Sequence, residues 1–247
     1  MKKTEIFRGV GTALITPFKD DRIDYDTLEA LIERQIKAGI DALVIGGTTA
    51  EAATLSDKER YMLFSLARER CQGKLKLIFG TGTNDTAIAA RHTREAARIG
   101  CDGVLIVTPY YNKGTAEGMA RHYEFIANSV DLPIILYNVP QRTGVNLDFS
   151  VLERLAKIEN IVGIKEASDS ADRLISLAAF GDELHLYAGM TRRYLPYFPS
   201  VARELSQWCQ TFCLMRQKSF AAYSRRERST WHGRIKLRFF PLFGQCF

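Results

Sequence analysis

A lysine at position 165 is the side chain in this sequence best placed to act as a nucleophile. Lys165 follows the apolar run 161–164, so we expect it to project from the end of a buried strand. Poor solvation at such a position favours the neutral amine and lowers the pKa of the lysine. A neutral amine can attack a ketone and form an imine. The alternative is a structural ion pair between Lys165 and Glu51 or Glu166, and the position alone does not decide between the two.

A tyrosine, two threonines and an arginine could complete a site around this lysine. Tyr137 ends the apolar run 134–137; a phenol of pKa about 10 is a poor base alone but can pass protons when hydrogen-bonded to a second hydroxyl. Thr48 and Thr49, in GGTTAE, offer hydroxyls and turn amides that suit a carboxylate. Arg142, in YNVPQRTG, offers a planar fork for a second carboxylate. One such residue means little, whereas the combination predicts a site for a ketone and carboxylates.

The elements that must position these residues alternate regularly up to residue 189. Short apolar runs occur at 10–15, 42–45, 75–79, 103–107, 134–137, 161–164 and 184–187. Stretches of helical periodicity lie at 25–38, 57–70, 87–99, 116–129 and 149–158. The apolar runs are continuous rather than alternating, which is typical of parallel strands covered on both faces.

This alternation fits either a TIM (β/α)₈ barrel or an open doubly wound sheet. The barrel is favoured by the polar or small residues that follow the strands, since barrel enzymes build their sites at the carboxyl ends of strands. These residues are Thr16, Thr48, Thr49, Thr81, Thr108, Tyr137, Lys165 and Gly189. We therefore predict a TIM-type barrel of which seven strands are readable.

Composition and charge divide the chain into two parts. The 247 residues carry a net charge of +6, but residues 1–189 hold 23 Lys and Arg against 26 Asp and Glu, whereas residues 190–247 hold 11 against 2. The basic tail shows no repeated aromatic and basic pattern, so a nucleic-acid partner is not expected. The odd count of five cysteines argues against a secreted disulfide framework. With no apolar run long enough for a membrane and no leader pattern, we expect a cytoplasmic protein.

Six segments together resemble the dihydrodipicolinate synthase (4-hydroxy-tetrahydrodipicolinate synthase) family of class I pyruvate-dependent aldolases. They are ALITPF (13–18), GTTAEAATL (47–55), GTGTND (80–85), VTPYYNK (107–113), YNVPQRTG (137–144) and GIKEAS (163–168). The resemblance runs in order across residues 6–189. It implies a TIM barrel and the condensation of pyruvate with L-aspartate 4-semialdehyde in lysine biosynthesis through diaminopimelate.

The resemblance also implies catalytic roles for individual residues. Lys165 would form the Schiff base with pyruvate, and Tyr137 would be the proton relay. Thr48 would link that relay to Tyr111 of a neighbouring subunit, which implies a homo-oligomer, a tetramer or a dimer. No metal or organic cofactor is implied, because the lysine itself supplies the electron sink.

Three further residues would hold the substrates. Thr49 would bind the pyruvate carboxylate, Arg142 the carboxylate of the aldehyde substrate, and Gly189 would lie beside them. Sialic-acid lyases are similar but typically carry serine in the GTT motif and lack the arginine, so the synthase is favoured over a sugar-acid aldolase. Ala50 departs from the family, which usually has glycine there, and an alanine fits only if its φ is negative.

Feedback inhibition by lysine is expected to be weak. Family members that lysine inhibits carry a carboxylate one helical turn after the asparagine of the GTG motif, here Asn84. The residue at that place is Ile88, which cannot pair with the ammonium of the inhibitor.

The tail from residue 190 to 247 resembles a frameshift product. The family continues after its strand-seven glycine with an acidic turn and a GG-x-GVISV-x-SN strand, which this chain lacks. One base inserted after the Gly189 codon allows the reading GNDEEILTLLPLGGKGVISVVSNVLPHET. We therefore predict a catalytic barrel in residues 1–189 and an aberrant basic tail that replaces strand eight and the C-terminal helices. The chain could then be a catalytically inactive remnant with two unpaired barrel edges.

Overall fold

Seven parallel strands form the wall of a barrel in this computed structural model, which describes residues 2–189 and the backbone of residues 210–214. The seven are β1 (Val10–Ala13), β4 (Ala42–Ile45), β5 (Lys76–Gly80), β6 (Gly103–Val107), β7 (Ile134–Asn138), β8 (Ile161–Glu166) and β9 (His185–Ala188). A two-stranded hairpin of β2 (Phe18–Lys19) and β3 (Arg22–Ile23) follows the first of them. The predicted barrel class and its seven strands are confirmed, each to within about two residues.

Seven helices lie in the described part of the chain. They are α1 (Tyr25–Lys37), α2 (Asp57–Cys71), α3 (Thr86–Ile99), α4 (Ala116–Ala127), α5 (Pro140–Thr143), α6 (Phe149–Leu155) and α7 (Ala171–Ala178). Local sequence sets their ends: Ser56 and Glu59 form a reciprocal capping box before α2, and Gly100 ends α3 in the left-handed region at φ 94°. Within residues 2–189 the longest helix has 15 residues, too short to span a bilayer.

Alternation along the strands separates two apolar layers. Outward residues such as Ile106, Leu136 and Ile164 pack against the helices, while inward residues such as Leu105 and Ile135 fill the barrel. On β8 an extra residue bulges where the register shifts against β7 at Ile134/Ile135. The inner layer ends below the carboxyl ends of the strands, which leaves that rim for polar side chains.

The amino-terminal segment closes the opposite end of the barrel. Ile6 lies against Gly103, where an added Cβ would stand 2.4 Å from its Cδ1, and the Phe7 ring lies 4.9 Å from that of Tyr187. Lys3 is buried, and its Nζ donates to three backbone carbonyls in the segment between α6 and β8, at 2.6, 2.8 and 2.6 Å. Within residues 2–189 these contacts close this end of the barrel, opposite the carboxyl ends of the strands.

The eighth position of the barrel is filled by a strand that runs the opposite way. Residues Gln210–Leu214, β10, pair antiparallel with both β1 and β9. This corrects the expectation of two unpaired edges: backbone groups of the tail bridge the gap, because an open edge presents unpaired N–H and C=O groups that any extended segment can satisfy. The predicted division at residue 189 and the remaining tail residues lie outside what the structure tests or describes.

Candidate active site

Lys165 and Tyr137 stand side by side at the carboxyl end of the barrel. They are direct partners in the register between β7 and β8, and both point into the barrel because neighbouring parallel strands keep their inward residues level. The Nζ of Lys165 lies 4.4 Å from the centre of the Tyr137 ring. Only 4% of Lys165 and 6% of Tyr137 is exposed, so the amine sits in a pocket of low dielectric constant.

This environment tunes both groups. Burial, and to a lesser degree the positive charge of Arg142, lower the pKa of the Lys165 ammonium to about 7. Burial raises the pKa of Tyr137, while Arg142 and a hydrogen bond with the Thr48 side chain act to lower it. Near neutral pH a large share of Lys165 is therefore the neutral amine, the form that can attack a carbonyl.

The structural ion pair considered for Lys165 is not formed with Glu166. The Glu166 carboxylate lies on the outward face of β8 and accepts from Arg173 Nε at 2.9 Å. Successive residues of a strand point to opposite faces, so Glu166 cannot turn to its neighbour. Glu51 lies on the exposed turn that follows β4. Glu166 is thus removed as an ion-pair partner of Lys165, and the nucleophilic role of Lys165 stays a prediction.

The Thr48–Ala50 turn brings the Thr48 side chain into a hydrogen bond with Tyr137. It is a single 3-10 turn after β4, and Thr16 fastens it to the end of β1 by donating to the Ala50 carbonyl at 2.9 Å. Thr49 is half-buried in this turn. The left-handed residue is Glu51, at φ 57°, and not Ala50, so the substitution of alanine for glycine adds no backbone strain.

Arg142 and Gly189 border the same pocket. Arg142 lies on the short helix α5 directly after β7, exposed to solvent yet close enough to lower the pKa of Lys165. At Gly189, which follows β9, a Cβ would lie 3.1 Å from the Cε of Lys165 and 2.8 Å from the Cβ of Ala167. A side chain there would crowd the Lys165 amine, so a glycine at position 189 is favoured on steric grounds.

Tyr111 stands apart from the other predicted site residues. Its side chain is 87% exposed, its φ is 74°, and its backbone amide donates to the Thr143 carbonyl at 3.4 Å. A non-glycine residue in the left-handed region is uncommon and marks a constrained turn. Within one chain the phenol is presented to solvent.

Two of the polar residues predicted at the strand ends do not line the rim. Thr81 and Thr108 are fully buried, and the Thr81 hydroxyl is 2.9 Å from that of Thr93 on α3. Both lie on the helix side of the strands rather than in the pocket, because side chains alternate along a strand and these two fall on the outward face. Ile88 lies in the first turn of α3, 37% exposed, and weak lysine feedback stays a prediction.

Of two buried polar residues beside the site, the sequence analysis assigned no role to Asn138 and considered Glu166 only as an ion-pair partner of Lys165. Asn138 and Glu166, each directly after a predicted site residue, are fully buried and hydrogen-bonded to one another. The signal was present, since a polar pair at matching places in two buried strands must find partners.

Comparisons with known proteins agree with one another. A protein-family model described as the dihydrodipicolinate synthetase family matches residues 6–206. The 4-hydroxy-tetrahydrodipicolinate synthase of Endomicrobium trichonymphae is 45% identical over 192 residues, which cover 77% of this chain and 66% of that protein. The one from Kosmotoga olearia is 48% identical over 177 residues, covering 70% and 60%.

A solved structure shows the same likeness in three dimensions. The 4-hydroxy-tetrahydrodipicolinate synthase from the methanotroph Methylacidiphilum fumariolicum SolV superposes with a TM-score of 0.75 at 43% identity, covering 80% of this chain and 69% of that chain. The chain spans about two thirds of the length of the relatives it matches, 66% of the first and 60% of the second described above.

Proposed function

Because the chain belongs to the dihydrodipicolinate synthetase family, we propose that residues 1–189 carry the site that condenses pyruvate with L-aspartate 4-semialdehyde to give 4-hydroxy-tetrahydrodipicolinate. The observation that carries this proposal is the buried Lys165, with its pKa lowered to about 7, beside Tyr137. The reaction belongs to lysine biosynthesis through diaminopimelate. The enzyme is a lyase of the class I aldolase type.

Imine formation is the first step. The neutral Nζ of Lys165 attacks the ketone carbon of pyruvate, and the ketone oxygen leaves as water after it has received protons. Loss of a proton from the pyruvate methyl group then gives an enamine, with the protonated nitrogen as the electron sink. Tyr137 is the group that carries these protons, because its phenol lies beside the amine and is hydrogen-bonded to Thr48.

The carbon–carbon bond forms in the second step. The enamine carbon attacks the aldehyde carbon of the semialdehyde, and the new alkoxide takes a proton from the relay. Thr49 holds the pyruvate carboxylate and Arg142 holds the carboxylate of the semialdehyde, for which its planar fork is suited. The amino group of the former semialdehyde then attacks the imine carbon, and departure of the Lys165 amine closes the ring and releases the product. No metal or organic cofactor takes part.

A second copy of the chain completes the proton relay. The exposed Tyr111 phenol, on its constrained turn, is the group that one subunit offers to the Thr48 and Tyr137 of the next. The protein is accordingly a cytoplasmic homo-oligomer, a tetramer or a dimer, in the form with its frame restored.

The tail from residue 190 to 247 is the product of a one-base deletion after the Gly189 codon. The antiparallel β10 bridges the barrel edges, but the C-terminal helices of the family are replaced by unselected sequence. The 247-residue chain therefore turns over at less than a tenth of the rate of the frame-restored chain. Assaying condensation by both chains side by side, with thermal unfolding as a check on folding, tests this. Rates within tenfold of each other would refute the frameshift origin of the tail.

Trapping of the imine tests the proposed function. The 247-residue chain and the frame-restored chain are each incubated with pyruvate and borohydride, and peptide mapping by mass spectrometry locates the reduced adduct. We expect labelling of Lys165 and none in Lys165→Ala. A folded protein that is labelled elsewhere, or not at all, contradicts the assignment.

A sister aldolase that acts on a sugar acid is the nearest rival. It would share the pyruvate imine and differ in the second substrate. Arg142 and the paired threonines favour the semialdehyde. Incubating the pyruvate-loaded chain with aspartate semialdehyde and, separately, with N-acetylmannosamine distinguishes the two. Turnover of the sugar alone would establish the rival.

A further inference from the structure

The outward faces of β7 and β8 carry a buried polar network directly behind the reactive pair. Tyr137 and Lys165 point inward, so the residues that follow them, Asn138 and Glu166, point outward; both of these are fully buried. The reactive residues and the network thus occupy adjacent positions on the same two strands. A shift in one pair must move the other, because each shares a peptide plane with its neighbour.

The carboxylate of Glu166 is satisfied from three directions. Both of its oxygens accept from the side-chain amide of Asn138 at 2.9 Å, one accepts from the Ser168 backbone at 2.8 Å, and the other accepts from Arg173 Nε at 2.9 Å. Arg173 is itself 9% exposed. A buried ion pair with this many hydrogen bonds fixes geometry more than it adds stability, since desolvation offsets most of its Coulomb energy.

The same network holds the segment that carries Arg142. The amide of Asn138 also donates to the Asn146 side chain at 2.8 Å, and its oxygen accepts from the Leu147 backbone at 3.1 Å. Arg173 Nη2 donates to the Leu147 carbonyl at 2.6 Å. The segment between β7 and residue 147 is therefore anchored at its far end to the strands that it leaves.

Backbone hydrogen bonds extend the connection to the third strand. The Asn138 carbonyl accepts from Ala167 N at 2.8 Å, and the Glu166 carbonyl accepts from Gly189 N at 2.7 Å. The carboxyl ends of β7, β8 and β9 are thus linked in series around the pocket. These hydrogen bonds therefore hold every residue of the site except those of the threonine turn and Tyr111.

We propose that Asn138, Glu166 and Arg173 are positioning residues that hold Lys165, Tyr137 and Arg142 in register for imine formation. This inference rests on the proposed function, since it concerns the same site. Productive catalysis tolerates about 0.5 Å of looseness in such a constellation. A network that links the ends of β7, β8 and β9 on their outward faces limits that looseness without contacting the substrate. Pyruvate binding, which depends on the separate threonine turn, changes far less than the rate.

The test uses Glu166→Gln in the full 247-residue chain. The change keeps the shape but turns an amide toward the amide of Asn138 and leaves Arg173 without its counter-ion. We measure the rate of borohydride-trapped imine formation at Lys165 against pyruvate concentration. The expected result is a limiting rate at least tenfold lower, with the half-saturating pyruvate concentration changed less than threefold. Asn138→Ser, which removes the bridge and keeps the Glu166–Arg173 pair, is expected to act in the same direction.

The control is Glu153→Gln, the same chemical change at an exposed position of α6. It should trap within twofold of wild type. Hydrogen exchange reports the folding of each variant: the amides of Leu147 and Ser168 should exchange faster in Glu166→Gln or Asn138→Ser, while those of β5 keep their protection. A variant that loses β5 protection is replaced by the other for the rate comparison.

The outcomes separate this inference from the proposed function. Limiting rates within twofold of wild type, with faster exchange at Leu147 and Ser168, would show a purely structural network and overturn the inference alone. Equal losses in limiting rate and pyruvate affinity would overturn it as well. Failure of the wild-type chain to trap pyruvate at Lys165 would overturn the proposed function and this inference with it.

Discussion

Two buried lysines at opposite ends of the barrel differ in what surrounds them. Lys3, in the amino-terminal seal, donates to three backbone carbonyls within 2.8 Å, which matches the three donors of an ammonium. Lys165, at the other end, lies over a phenol ring and beside the charge of Arg142. Burial lowers the pKa of Lys3 to about 8 and that of Lys165 to about 7.

If Lys165 is the nucleophile, as proposed, burial alone does not distinguish it from Lys3. At pH 7 Lys3 is mostly protonated and its hydrogens are all engaged, so it closes the end of the barrel. Burial is the main cause of the lowered pKa in both lysines, but Glu183 raises the pKa of Lys3 whereas Arg142 lowers that of Lys165. The difference lies in the neighbours, and it predicts opposite behaviour for the two residues.

The largest expected effect is that removing the two lysines changes the free energy of unfolding in opposite directions. Lys165→Met replaces a poorly solvated amine by an apolar chain of similar length and should raise the free energy of unfolding at pH 7 by about 2–4 kcal/mol. Lys3→Met leaves three carbonyls without their donor and should lower it by about 2–3 kcal/mol. Urea unfolding measures both.

The control for Lys3 is Lys2→Met. Lys2 is exposed, and its ion pair with Asp182 spans 3.8 Å, so its loss should change stability by less than about 0.5 kcal/mol. If Lys3→Met and Lys2→Met were equally stable, the hydrogen bonds of Lys3 would not stabilise the fold, and the role given to Lys3 would be wrong.

The second effect is a rise in the free energy of unfolding with pH, caused by the titration of Lys165. Its folded pKa of about 7 lies below its unfolded value of 10.5, so between these pH values the unfolded chain binds more protons and stability rises with pH. From pH 7 to pH 9 the wild type should gain about 2 kcal/mol relative to Lys165→Met. The titration of Lys3 is the same in both proteins, so it cancels from the difference between their free energies of unfolding. Parallel pH curves for the two would disprove the lowered pKa.

The third effect concerns reactivity. Because only the neutral amine attacks pyruvate, trapping at Lys165 under limiting pyruvate should rise about tenfold from pH 6 to pH 8, with a midpoint near pH 7. A free lysine side chain, such as that of Nα-acetyl-lysine, should rise nearly a hundredfold over the same span. A similarly steep rise for the protein would mean that Lys165 is not perturbed.

The smallest effect isolates the charge of Arg142. Arg142→Ala should raise the pKa of Lys165 and slow trapping at pH 7 roughly threefold, with recovery at pH 9. Arg142→Lys keeps the positive charge and should trap at close to the wild-type rate. Equal losses in both variants would assign the effect of Arg142 to its shape and not to its charge.

The seven parallel strands and five of the seven helices could be predicted closely because local patterns fix them, whereas α5 and α7 were not predicted. The run at 42–45 is apolar throughout and became β4 with the same bounds, and Ser56 with Glu59 capped α2 as expected. The strand that fills the eighth position was not predictable in this way. Gln210–Leu214 pairs because two barrel edges are free, which is a property of the assembled sheet and not of those five residues.

The sequence by itself determined which groups could react: a lysine after one buried strand, a tyrosine after another, and threonines and an arginine in turns, in motifs that identify the family. Only the tertiary structure decided which of these groups meet. Strand register set Lys165 beside Tyr137, parity turned Thr81 and Thr108 away from the pocket, and the carboxylate of Glu166 went to Arg173 rather than to its neighbouring lysine. The physical reason is that side-chain identity is local, whereas register, burial and the choice of charge partner depend on strands that lie far apart in the chain.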